Sequence, residues 1–519
     1  MSYISYNTYI KAEGAELFTL ICLPKADGAF PTVVYRSPYV DYAENMTDAE
    51  IEKKEFERFG NFLQNGYAVV YQHCRGRGKS SGDCVPYIYE REDGLLLREW
   101  IRKQPFYNGE LYLFGRSYTS SVHFVTTPFE SDVKAAVLEV QDPNRYNCNY
   151  RNGFYKMGLH GGWYIEMYKN KTMRQKKCDT ESYNMLPLSD FSKTVFDEPV
   201  ADFDEILRHP DRNDPFWNTR FGGGEAKDAI KHANIPILLI TGFYDLYTGG
   251  VFDTWFDLDA ETKSKSALIV HPYDHNCIAA GQPVVFDNSN PLDEFGDYRA
   301  DWFNFARGLC KAPVETGKVT YYKIFGDAWC TDDFNAPEKK MTFTLGEGER
   351  TYRYNPYAPA KFKGGLSTNF GGNAWQDKPN SRYDILSFFS PEFTEDTFIK
   401  GKISAKLTVK SSCEDTCFYI RLSLEKPEGY YGLRDDINQI SAFCENYTPG
   451  NEVEMDFSFD EHAFVVKKGE RLRVDVSSSA FPLYVRHTNN KGLFSEQTTA
   501  KVADNTVILD KSSVTLFFE

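Results

Sequence analysis

The sequence predicts an α/β architecture, a largely parallel sheet covered by helices on both faces, joined to an all-β domain. Three observations carry this expectation. Short apolar runs alternate with helix-like segments, a strand-poor stretch interrupts them after Val140, and period-two alternation takes over from about residue 318. The expected organisation is a first core part (1–140), a helical cap insertion (141–230), a second core part (231–317) and a β-sandwich (318–519).

Core strands are expected at Thr32–Tyr35, Ala68–Gln72, Leu111–Phe114, Val133–Val140, Ile235–Ile240 and Ala267–Val270. Each run is short and apolar, the composition of a strand buried on both faces. In EREDGLLLREWIRKQP, Leu96, Trp100 and Ile101 share a helical face and Pro105 ends the segment. Strand and helix in alternation give a parallel sheet with covered faces. The insertion, which includes RYNCNYRNGFYKMGLHGGWYIEMYKNKT, is rich in aromatics and lacks strand rhythm. A long connection at the carboxyl end of a strand is placed to cover a site; a surface appendage is the alternative. Farther on, Ile403, Ala405, Leu407 and Val409 alternate with polar residues. Ile420, Leu422 and Leu424 do the same, as do Leu472, Val474 and Val476, and VTLFFE reads as a last strand. This is the pattern of half-buried antiparallel strands.

A chain of 519 residues exceeds one ordinary core. Its 40 Phe, 34 Tyr and 7 Trp suit strands and an aromatic-lined pocket. A net charge of −15 argues against nucleic acid, which needs a basic footprint, and names no other partner. The amino terminus has no secretory pattern, and no apolar run is long enough to span a membrane. Eleven scattered cysteines without CxxC pairs read as reduced thiols in a cytoplasmic protein. The Asn-x-Ser/Thr triplets at Asn45, Asn170 and Asn446 are then chance matches. No metal and no cofactor is expected. A homo-oligomer stays open, since the sequence does not give the oligomeric state.

The sharpest motif is GELYLFGRSYTSS, in which a strand runs into Gly115-Arg116-Ser117-Tyr118. A serine at the end of a core strand, two residues after glycine, fits a nucleophile elbow. Thr119 stands where the second glycine of that motif belongs, and a helix N-cap is the plain alternative. Asp245 follows IPILLITGFY and His275 follows ALIVHPYD, each just past a strand. Nucleophile, acid and histidine in that chain order mark an α/β-hydrolase, in which the imidazole relays the serine proton and the carboxylate fixes its tautomer. His271, His123, Asp274 and Asp253 stay open as rivals. Gly78-Lys79-Ser80 does not complete a phosphate loop, because His73 occupies its first glycine position.

These residues resemble a known family. RSPY at 36–39, YAVVYQHCRGRGKSSGD from Tyr67, EREDG at 90–94, WIRKQPFYNGELYLFGRSY up to Tyr118, GFYD at 242–245 and HPYDH at 271–275 resemble the CocE/NonD hydrolases, as do GERLRVDV and SSSAFPLYVRHTNN near the end. The resemblance implies a C-terminal jelly roll of galactose-binding-like type. It assigns Ser117, Asp245 and His275 to a catalytic triad, and the Tyr39 hydroxyl and Tyr118 N–H to an oxyanion hole. The implied reaction is cleavage of a small ester, amide or short peptide through an acyl-enzyme, esterase- or acylase-like. X-prolyl dipeptidyl aminopeptidase or α-amino ester hydrolase activity is the alternative. Ser120 stands where the family has glycine, His73 where it has aspartate, and His271 and Tyr273 where it has glycine and tryptophan. These departures spare the catalytic atoms and bear on substrate. Trp163, Tyr164 and Tyr155 are expected to line the substrate pocket or to form the cap's own core, and His271 to touch substrate. An amine-specific enzyme needs carboxylates around an ammonium group, and the spacing of Asp142, Glu166 and Asp202 singles none of them out. The α/β core also begins almost at once, without the extra amino-terminal domain X-prolyl peptidases often carry, which favours esterase or acylase. A reading from another class is a non-catalytic ligand or carbohydrate-binding protein.

Overall fold

A computed structural model describes residues 3–25, 27–167, 182–224, 226–365 and 372–519. Its first sheet uses β1 (Tyr3–Ala12), β2 (Ala15–Pro24), β3 (Phe30–Ser37), β4 (Ala68–His73), β5 (Tyr107–Arg116), β6 (Val133–Glu139), β9 (Ile237–Tyr244), β10 (Ala267–Asp274), β11 (Val319–Lys323) and β12 (Ala328–Asp332), while β7 (Tyr150–Arg151) and β8 (Phe154–Tyr155) form a separate ribbon. The sheet order is β1-β2-β4-β3-β5-β6-β9-β10-β11-β12. From β4 to β11 every neighbour is parallel; β1, β2 and β12 pair antiparallel.

Each of the six core strands expected from sequence has its counterpart. Strands β3, β4, β9 and β10 are buried along their whole length, which is why they read as apolar runs. The hairpin β1–β2 is not foreshadowed in that way: β1 is an edge strand with one buried position among ten, so little selects for apolar residues. The residues after 317 do not go straight into a sandwich either. β11 and β12 extend the first sheet by pairing beside β10.

Helix α1 (Asp48–Gln64) opens on a Thr47/Glu50 capping box. Helix α2 (Glu90–Arg102) buries Glu90, Asp93, Gly94, Leu97 and Ile101, and Leu96 and Trp100 pack half-buried against the same core, as expected. Its acidic positions turn inward because Arg36, buried on β3, pairs with Glu90 at 2.9 Å. A Cβ on Gly94 would lie 2.9 Å from Thr126, so glycine sets how closely α2 packs. Helix α3 (Tyr118–Phe124) follows β5 directly.

The insertion after β6 folds as α4 (Arg145–Asn149), the β7–β8 ribbon, α5 (Met157–Met167) and the short helices Phe191–Phe196 and Ala201–Ile206. Asn170 and the side chain of Glu166 lie outside the described residues. From Lys339 onward the chain forms two five-stranded antiparallel sheets. One contains β13 (Lys339–Thr344), β14 (Glu349–Tyr354), β17 (Thr397–Ser411), β20 (Val453–Val466) and β22 (Ala503–Phe518). The other contains β15 (Trp375–Gln376), β16 (Leu386–Phe389), β18 (Cys417–Lys426), β19 (Gly429–Gln439) and β21 (Leu472–Ser477). Among the described residues no helix is long and apolar enough to cross a membrane.

Candidate active site

Strand β5 turns into α3 through Gly115-Arg116-Ser117. Ser117 is the N-cap of α3, with φ 57° and ψ −131°. A side chain held there costs about 1–3 kcal/mol and needs its surroundings to enforce it. They do so with three anchors. A Cβ on Gly115 would come within 2.1 Å of the Thr119 carbonyl oxygen, so glycine is what lets the first helical turn fold back on the strand. The Thr119 hydroxyl donates to the Arg116 carbonyl at 2.7 Å and accepts from the Arg116 N–H. The Ser120 hydroxyl, donating to the Glu139 carbonyl at 3.0 Å and accepting from its N–H at 3.1 Å, ties α3 to the end of β6. At the two positions where glycine was expected, hydroxyls brace the turn.

Asp245 lies just past β9 and is fully buried. Its Oδ1 is 2.7 Å from His275 Nδ1, and its Oδ2 accepts from the Thr241 hydroxyl at 2.9 Å. A carboxylate acceptor puts the imidazole proton on Nδ1 and leaves Nε2 free to act as a base. The rival histidines are engaged elsewhere. His123 Nε2 donates to the Phe114 carbonyl at 2.9 Å, and burial lowers its pKa to about 3. His271 is buried on β10 against Trp329, at 5.8 Å between ring centroids, and burial likewise lowers its pKa to about 3. Asp274 caps the Asn276 N–H at 3.0 Å, and Asp253 lies 3.5 Å from Lys402.

Ser117 and His275 line one cavity of about 340 Å³. Tyr35, Tyr39, Tyr87, Tyr118, Leu246 and Tyr247 supply its core-side wall, with Arg116, and the insertion contributes Leu159, His160 and Trp163. The Tyr39 hydroxyl accepts from Trp163 Nε1 at 3.4 Å, and Tyr39 and Ser117 line the same cavity. Burial raises the phenol pKa, so Tyr39 is a neutral donor. Its backbone is steadied by Arg77, whose Nε donates to the Pro38 carbonyl at 2.7 Å. That is the work of the RGRGKS loop, a structural clamp. Tyr118 N–H opens α3, where helix geometry provides no acceptor. The Tyr118 hydroxyl donates to Glu90 at 2.8 Å and receives the Tyr87 N–H at 2.8 Å.

Of the residues expected in the substrate pocket, Trp163 lines the cavity with Ser117 and His275. Tyr155, Tyr164 and His271 do not line the cavity. Tyr155 and Tyr164 pack edge-on to Phe203 inside the insertion, and His271 points to the Trp329 side of the sheet. Tyr87, His160 and Tyr247 carry no spacing signal in the sequence; only the fold brings them to the cavity. Among the described residues no cluster of His, Cys, Asp or Glu is arranged to hold a metal ion.

Fold and family together define a serine hydrolase of ester or amide bonds built on an α/β sheet. The chain belongs to the S15 family: the model for X-Pro dipeptidyl-peptidase (S15 family) matches residues 13–276, and that for the X-Pro dipeptidyl-peptidase C-terminal non-catalytic domain matches residues 314–514. It is similar to cocaine esterase of Rhodococcus sp. (strain MB1 Bresler), 24% identical over 93% of this chain and 92% of that one. Two solved structures share the fold across nearly the whole length. An α-amino acid ester hydrolase has a TM-score of 0.81 at 17% identity, covering 100% of this chain and 97% of that one. A CocE/NonD family hydrolase from Staphylococcus aureus has a TM-score of 0.66 at 15% identity, covering 99% and 93%.

Proposed function

We propose that Ser117 is the nucleophile of an esterase or acylase, with His275 as its base and Asp245 as the residue that orients the histidine. The observation that carries this reading is the 2.7 Å Asp245–His275 contact behind a cavity that Ser117 and His275 both line. Ser117 attacks the acyl carbon as His275 Nε2 takes its proton. The Tyr39 hydroxyl and Tyr118 N–H receive the oxyanion, and loss of one such donor costs about 2.7–4 kcal/mol in the barrier. His275 then protonates the leaving group and activates water to release the acid. Residues 141–230 act as the cap, closing the cavity with Leu159, His160 and Trp163.

Among the described residues no carboxylate lines this cavity, and Arg116 brings a cation to it. Among the described residues an ammonium substrate finds no counter-charge there. Asp142 faces a different cavity, and Asp202 is absent from the catalytic wall. The favoured substrate is therefore a small ester or amide without a free amine, ahead of an aminoacyl-prolyl peptide. The ten described cysteines are free thiols, which supports a reducing, cytoplasmic setting.

Intact-mass analysis after incubation with a small fluorophosphonate, followed by peptide mapping, tests the nucleophile. The expected outcome is one adduct on Ser117, absent from Ser117→Ala. p-Nitrophenyl butyrate should exceed Gly-Pro-p-nitroanilide by roughly 100-fold in kcat/KM, because no carboxylate among the described residues lines the cavity to partner the amine. An adduct elsewhere overturns the nucleophile assignment; preference for the anilide overturns the esterase reading. A chain that binds ligand yet neither labels nor hydrolyses belongs to the binding-protein class.

A further inference from the structure

We propose that Arg116, the middle residue of Gly115-Arg116-Ser117, is a positioning residue that fastens the nucleophile turn to the histidine loop. The proposal rests on Ser117 and His275 acting together. The Arg116 guanidinium reaches in two directions. Its Nη1 donates to Glu139 Oε2 at 2.8 Å, and its Nη2 donates to the backbone carbonyl of His275 at 2.5 Å. Glu139 is itself an anchor of the turn: its carbonyl accepts from the Ser117 N–H at 2.9 Å and from the Ser120 hydroxyl at 3.0 Å. The same carboxylate, 1% exposed, also holds Arg299 of the helix Tyr298–Ala306, through Nε and through Nη2 at 3.1 Å.

The sheet explains why such a tie is needed. Ser117 follows β5 and His275 follows β10, and β6 and β9 lie between those strands. No hydrogen-bond ladder sets the two loops directly against each other. The Asp245 contact fixes rotation of the His275 ring but not the height of the backbone that carries it. Arg116 supplies that second constraint, from the residue next to the nucleophile. A displacement of about 1 Å at reacting atoms can cost 10²-fold in rate. Arginine suits the task because its planar fork satisfies two acceptors at once, which a lysine cannot match. A bare guanidinium beside His275 would oppose formation of the imidazolium; Glu139, a carboxylate shared with Arg299, offsets part of that charge and fixes the geometry.

The test is Arg116→Met, which keeps the aliphatic stem and removes both donors, assayed on p-nitrophenyl acetate with fluorophosphonate labelling in parallel. The expected result is a fall in kcat of roughly 10- to 100-fold, with KM changed less than about twofold and labelling of Ser117 slowed by the same factor. Added guanidinium at tens of millimolar should restore part of kcat, and Arg116→Lys should recover less than half of the loss. Unchanged kcat overturns the proposal, as does a rise in KM alone, which would make Arg116 a substrate contact. Should Arg116→Met fail to melt cooperatively, Arg116→Gln keeps one donor and is judged by the same kcat, KM and labelling readouts. Failure of the wild-type protein to label at all would instead sink the assignment of Ser117.

Discussion

Asp142, just beyond β6, is a carboxyl whose surroundings make stability depend on pH. It is 3% exposed, and burial raises its pKa to about 7 against the pull of the Asn144 N–H, 2.7 Å away. A Cβ on Gly250 would lie 1.7 Å from its Oδ2, so that glycine makes room for the carboxyl. The folded pKa lies above the unfolded one, so the folded state holds the proton more tightly. The resulting stabilisation is complete below about pH 4 and is lost as pH rises through about 7. Asp142→Asn keeps the acceptor for Asn144 and never ionises. It should melt higher than wild type at pH 8, by up to a few kcal/mol, with the gap closing toward pH 5. A gap that does not vary with pH would contradict this account. At this scale the sequence was most informative where a motif confined the choice. The proposed triad of Ser117, Asp245 and His275 stands out by strand ends and chain order. His160 and Tyr87 meet the cavity through tertiary packing, which no spacing encodes, and Arg116 reads in the motif as an unspecified position.

Elements were legible in proportion to how thoroughly they are buried. Strand β17 alternates as expected from Ile403 to Leu407, one face in and one out. Strand β21 alternates equally well in sequence yet is buried on both faces, because Arg473 and Asp475 go in together as a pair 2.7 Å apart. Charge at a position thus misleads when its partner lies two residues away on the same face. The β7–β8 ribbon shows the same chemistry across elements. Arg151 bridges Asp436 of β19 at 2.8 Å and Asp460 of β20 at 2.7 Å, and so pins the insertion to the sandwich. Asp436 is 1% exposed. Arg151→Ala leaves two carboxylates largely buried without their cation, at a cost of about 3–5 kcal/mol. The urea midpoint should drop accordingly, and Arg151→Lys should recover only part, since an ammonium does not span both acceptors. An unchanged midpoint for Arg151→Ala would show that the ribbon bears no load.

At the scale of the molecule, the sandwich and the hydrolase core share their interior. One buried apolar cluster runs from Ile21, Leu113 and Leu268 in the core through Tyr150 and Phe203 in the insertion to Leu407 and Val507 in the sandwich. Polar bonds follow it. Ile324 at the β11–β12 turn exchanges backbone bonds with Ala463 and Val465 at 3.1 and 2.9 Å, and the Tyr244 hydroxyl donates to the Gly432 carbonyl at 2.8 Å. Arg434 reaches across to the carbonyl of Phe243. Phe243 and Tyr244 are fully buried, and the next residue is Asp245. Removing the sandwich would therefore bare the strand end that carries Asp245, the proposed acid. Unfolding should be a single cooperative event, although chains this long often separate into domains. Native-state hydrogen exchange should then report the same opening free energy for β5 and β18, and hydrolysis of p-nitrophenyl butyrate should vanish over the same urea range. The fragment 1–335 should give no cooperative melt. If the sandwich instead unfolded first and activity survived it, the shared interior would be an ordinary contact between independent domains, and Asp245 would owe its position to β9 alone.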